Sequence, residues 1–159
     1  MTLTEIVSYP DDSGRDILDE LYATLYEKDK YDTAYKRHLQ FIIKAVEKVS
    51  QSKLSDISDQ DTSLTLEIDG QQYTETYTIV KALRKQPIYE LRCKFNNNEH
   101  LRLLFFEHYF SGTRYIIFTK IFTKSWDPPS DETDVLRDAS YEIYKMIRQN
   151  PAEYLGEDE

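Results

Sequence analysis

The chain has little of several things: one cysteine, one tryptophan, four glycines and five prolines in 159 residues. A lone Cys93 cannot close an internal disulfide or build a cysteine-cluster zinc site, and it fits a reducing compartment. Scarce Gly and Pro exclude a collagenous or low-complexity chain. Long hydrophobic runs are missing too. The longest uncharged apolar stretch, around Ile116–Thr119, is far too short to span a bilayer. The opening MTLTEIVSYPDD has neither the basic nor the apolar region of a signal peptide, so a cytoplasmic protein without membrane contact is expected. His38, His100 and His108 show no metal spacing and read as non-catalytic, and no glycine-rich phosphate loop or nucleophile elbow occurs. Neither metal nor cofactor is expected.

What is present is enough to fold. Hydrophobic residues make up 40% and aromatics 13% of the chain, and its length suits one domain over 1–159. Charge is unevenly spread behind a net −9. Residues 1–80 carry 8 basic and 16 acidic side chains, residues 81–126 carry 9 and 3, and residues 127–159 carry 3 and 10. Screening over roughly 8–10 Å lets a local positive strip act on a docked polyanion despite the acidic total. Solvation of a sheet's outer face explains the same strip equally well.

The periodicity predicts an α+β fold. Thr4–Tyr9 reads as an edge strand. A helix follows over about 15–27, with Ser13 and Asp16 resembling a capping box. Asp32 can cap a second helix, along which Tyr35, Leu39, Ile42, Val46 and Val49 form an apolar stripe. The short link predicts an antiparallel helical hairpin. Alternation from Thr62, a turn at Asp69-Gly70 and Tyr73–Val80 predict a β-hairpin. A meander of Ile88–Phe95, His100–Tyr109 and Arg114–Phe122 follows, turning at Asn96–Asn98 and Ser111-Gly112. Cys93 alternates with Tyr89, Leu91 and Phe95 and reads as a core thiol. Trp126–Pro129 breaks the chain, Ser130 caps a last helix carrying Val135, Ala139, Ile143 and Met146, and an acidic tail follows Pro151. The expected parts are a helical hairpin plus extra β-hairpin (1–85), a core (86–150) and the tail (151–159).

A three-residue loop at Asn96–Asn98 would set Arg92 directly opposite Arg102 on one face. Two facing cations repel unless an acid or an anionic ligand lies between them; Glu90 or a phosphate could supply that charge. Lys120 and Lys124 extend the cationic strip if the meander is regular.

The run IYELRCKF, the strand LRLLFF, the strand YIIFTKIFTK, a Pro-containing break and a helix with DVLRDASYEIYKMI together resemble the RelE/HigB-type toxins of bacterial type II toxin–antitoxin systems, in particular the phage-derived HigB-like branch. The resemblance covers residues 88–144. It implies a small ribonuclease fold with helices packed on one face of an antiparallel sheet, and cleavage of mRNA at the ribosome, without metal, by 2′-OH attack. It also implies an antitoxin protein as partner. Arg92 and Arg102 would hold the phosphate. Lys124 would stabilise charge or act as acid, and Tyr144 would serve in base chemistry. Lys94, Lys120 and Tyr141 would contact substrate. Departures from the family pattern are Ser125 where a second lysine is common, the acidic total and the long lead-in. The alternative is a catalytically inactive protein of the same fold that binds a partner in a phage or mobile element, its arginines paired with Glu90 or Glu107.

Overall fold

The computed structural model describes residues 3–29, 33–83, 86–94, 99–125 and 132–155. The expected Asp32 cap, the Asn96–Asn98 turn, the Trp126–Pro129 break, the Ser130 cap and the last four tail residues lie outside them.

A short strand, β1 (Leu3–Ser8), leads into α1 (Ile17–Asp29) and α2 (Thr33–Gln51), which pack on each other. Asp16, not Ser13, caps α1: its carboxylate accepts the Asp19 N–H at 3.0 Å and its carbonyl accepts the Glu20 N–H. Ser13 is occupied elsewhere, donating its N–H and hydroxyl to Asp11 within the preceding turn. On α2, Leu39, Ile42, Val46 and Val49 are buried, as their spacing demands. A one-turn helix, α3 (Leu54–Ile57), plugs the core with Leu54 and Ile57.

β2 (Asp61–Ile68) and β3 (Gln71–Thr78) form a separate two-stranded sheet. Asp69 and Gly70 both have positive φ, the type I′ geometry that matches strand twist and that glycine tolerates without cost. Leu64 and Leu66 point into the core beside α2. The expected run to Val80 does not hold as one strand. β3 stops at Thr78, and Val80–Leu83 is β4, the edge strand of the main sheet.

The main sheet runs β1-β7-β6-β5-β4, with β5 (Ile88–Lys94), β6 (Glu99–Phe110) and β7 (Thr113–Ser125). β1 lies parallel to β7 and every other pair is antiparallel. Helices cover both faces, not the single face that the resemblance implied, because β6 and β7 are apolar on both sides. Leu91, Cys93, Leu101, Leu103, Phe105, Ile116 and Phe118 meet α1 and α2. Ile88, Leu104, Phe106, Tyr115 and Ile117 meet Ile143 and Ile147 of α4 (Glu132–Gln149). Burial on both sides is why β6 and β7 read as near-continuous apolar runs. On α4, Val135 and Met146 are exposed, and the inward face is Leu136, Ser140, Ile143 and Ile147. A short α5 (Pro151–Leu155) closes the described chain, where a tail was expected.

Between Leu104↔Lys120 and Phe105↔Phe118 the register slips, leaving Thr119 as a bulge residue. Its buried hydroxyl bonds the Leu104 carbonyl at 3.2 Å and the Ser140 hydroxyl at 2.7 Å, pinning α4 to the sheet.

Candidate functional site

On the α4 side of the sheet, strand alternation brings Glu90 and Arg92 of β5 to one face with His100 and Arg102 of β6 and Phe122 of β7. Arg92 pairs directly with Arg102, Lys94 with His100, Arg102 with Phe122 and His100 with Lys124. Four of the nine cations of the basic segment, Arg92, Lys94, Arg102 and Lys124, thus register at one end of three adjacent strands. Side chains of Lys94 and Lys124 lie outside the described residues, so their place is a backbone register only.

Glu90 sits between the two arginines. Its Oε1 accepts from Arg92 Nε at 3.0 Å and from Arg102 Nη1 at 3.4 Å. Side-chain exposure is 4% for Glu90, 10% for Arg102 and 31% for Arg92. One carboxylate against two guanidiniums leaves a net positive cluster. Each guanidinium has five N–H donors and Glu90 engages only one of each arginine. Arg102 Nε is buried and has no acceptor among the described residues. Burial pulls the Arg102 pKa down, Glu90 raises it and Arg92 lowers it again. The cluster is a ready receptor for a small anion, and equally an internally bridged ion triad.

Tyr144 stands elsewhere. Its ring packs edge-on to Phe106 at 5.1 Å, and Phe106 is four residues along β6 from Arg102, about 13 Å at strand rise. Tyr141 stacks on Tyr144 at 5.8 Å, the Tyr144 hydroxyl accepts from Arg148, and Lys145 lies 5.0 Å from the Tyr141 ring. These tyrosines stack along α4, and among the described residues their ring contacts are with Phe106, Lys145 and Arg148 and not with the two arginines. Lys120 lines a cleft beside Asp11, Asp12 and Glu20. Of the expected residues, Arg92 and Arg102 come together, and the Lys94 and Lys124 backbones flank them.

Two further residues gain a place from the fold. His100, expected to be non-catalytic, shares a face with Arg102, a parity that the i, i+2 spacing could have signalled. Arg114 is buried, pairs with Glu107 and donates from Nη1 to the Ser50 carbonyl at 3.1 Å and the Val49 carbonyl at 3.4 Å, closing the α2 C-terminus. Nothing local in the sequence links residue 114 to residue 50. Cys93 is buried, and burial pushes its thiol up to about 12.

No group of three or more His, Cys, Asp or Glu that could hold a metal occurs among the described residues, and no helix among them is long and apolar enough to cross a membrane. The chain matches no protein-family model, no curated protein and no solved structure.

Proposed function

We propose that the protein is a metal-independent endoribonuclease of the RelE/HigB toxin type, cutting mRNA at the Arg92–Arg102 end of the sheet and silenced by an antitoxin. The single observation that carries this reading is the opposed arginine pair, of which Arg102 Nε is buried and without an acceptor among the described residues. Arg92, the more exposed, would grip the scissile phosphate, while Arg102 is held in line by Glu90. The ribose 2′-OH attacks the phosphorus, the 5′-oxygen leaves with a proton, and a 2′,3′-cyclic phosphate remains. Fixed cations that meet the developing charge are the main source of acceleration in such a step, with acid–base help worth about 10²–10⁴-fold. Lys124 is proposed as the acid. His100 takes the proton-accepting role that the distance of Tyr144 from the arginines argues against.

Glu90 favours a second reading. A buried carboxylate shared by both arginines would serve equally in a non-enzymatic protein on the same fold that binds a protein partner.

Inducible expression of the wild type beside Arg92→Ala, with primer extension on cellular mRNA, tests the choice. Arg92 is the cleaner site, because its side chain is the more exposed of the two, whereas Arg102→Ala would empty a buried position. Growth arrest and new mRNA ends with the wild type alone support the ribonuclease. Folded, well-expressed and harmless wild-type protein would sink it in favour of the binding protein.

A further inference from the structure

Among the described residues, the strand order leaves half of one sheet edge without a partner. β1 pairs with β7 only from Thr113 to Phe118, and the Tyr9 N–H makes the last bond, to the Phe118 carbonyl at 2.7 Å. Pro10, which has no N–H, and the Asp11–Arg15 turn then lead the chain away. β7 continues to Ser125, so among the described residues Thr119–Ser125 is paired on its β6 side alone. That is an open edge of about 23 Å at ordinary strand rise, of the kind proteins usually cover, charge or shorten.

Beside the edge, between it and α1, lies a cleft of about 390 Å³. Ile17, Leu21 and Ile121 give it an apolar floor; Asp11, Asp12 and Glu20 stand against Lys120, with Glu20 also bridged to Arg15 at 3.2 Å, so the acids outnumber the cations three to two. Asp11 is held below its ordinary pKa by the Ser13 hydroxyl, then by the Arg15 backbone N–H, so it stays charged. Backbone donors and acceptors in a row, an apolar floor and an acidic surround together specify the occupant's chemistry. A second copy of this chain would bring the same acids against themselves, which disfavours it.

We propose that the Thr119–Ser125 edge is a docking site for an extended segment of a partner protein, alternating apolar and basic residues, that adds to the sheet as a strand beyond β1. Main-chain bonds to β7 supply the affinity, and the carboxylates select a basic segment. The cleft lies on the α1 side of the sheet, while the edge itself runs on past Phe122, the strand partner of Arg102, so a docked strand would end beside the arginine cluster. The proposal does not depend on the ribonuclease reading.

The test is fluorescence anisotropy of a labelled octapeptide of alternating Val and Lys, against a Val/Glu peptide and a Val/Lys peptide N-methylated along one edge. Saturable binding of the first is expected, with no saturation for the Val/Glu peptide and at least about tenfold weaker binding of the N-methylated form. Asp12→Lys/Glu20→Lys alters only exposed side chains and should likewise weaken binding by about tenfold. No saturable binding, or equal binding of the N-methylated peptide, overturns the proposal. So does a concentration-dependent dimer that the double variant dissociates, since the edge then belongs to a second copy.

Discussion

Arg102 reaches Glu90 from the neighbouring strand, Nη1 to Oε1 at 3.4 Å, while Arg92 holds the same oxygen at 3.0 Å from two residues along β5. The three side chains form one charged unit, half sunk in the sheet, in which the carboxylate separates cations that strand pairing forces together. Stability and anion binding are therefore coupled at this point.

Glu90→Gln keeps the shape and removes the separating charge. Stripping one partner from a buried ionic cluster costs about 3–5 kcal/mol, and urea denaturation should report a loss of that order. Phosphate added at high concentration should restore part of it, because an anion bound only by the folded state stabilises by mass action. Destabilisation with no phosphate rescue would mean that the arginines are structural and closed to ligands.

Thr119 and Ser140 make a second testable pair. Their buried hydroxyls bond at 2.7 Å, and Thr119 also reaches the Leu104 carbonyl. Ser140→Ala should cost about 1–3 kcal/mol by leaving the bulge hydroxyl with one partner fewer. Thr119→Val/Ser140→Ala should cost less than the two singles together, since no hydroxyl is then stranded. Additive losses in the four-protein cycle would show that the bond does not couple α4 to the sheet.

Local pattern made most elements legible. Alternation in IYELRCK and the facing arginines followed from period-two logic, and the Asp69-Gly70 turn was readable because its geometry needs those residues. Whatever depends on distant pairing was hidden. β4 has four residues and follows β3 after Ile79 alone, so one strand and two look alike in sequence. The parallel match of Leu3 with Thr113 has no local signature. Choosing Val135 and Met146 as the inward face of α4 failed because Ser140, a polar residue, sits at the centre of the true one. The arginine pair was legible as a pair; the remoteness of Tyr144 was not, because it depends on where α4 crosses the sheet.

Arg114 ties β7 to the last turn of α2. Arg114→Lys keeps the charge but loses the fork that meets Glu107 and the Val49 and Ser50 carbonyls together. The variant should lose about 2–4 kcal/mol, nearly as much as Arg114→Ala, because a buried acceptor set and a carboxylate are left unpaired. Hydrogen exchange should quicken first in the last turn of α2. Wild-type stability for the lysine variant would contradict a geometric role.

Cys93 sets the sign of an alkaline dependence. Burial raises its thiol from an ordinary value near 9 to about 12, chiefly by desolvation, with Arg102 opposing. Between those values the unfolded chain releases a proton that the folded chain keeps, so stability falls as pH rises from about 9 toward 12 and is full below 9. Tyr22, pushed up to about 12 by burial, adds to the same slope. Cys93→Val removes the thiol's share, so the wild type should lose stability more steeply than the variant above pH 9, as urea midpoints at successive pH values would read. Native protein at pH 8 should also resist a thiol reagent until urea opens the sheet. Parallel pH slopes, or prompt labelling of the native chain, would mean that the thiol is not held neutral in the core.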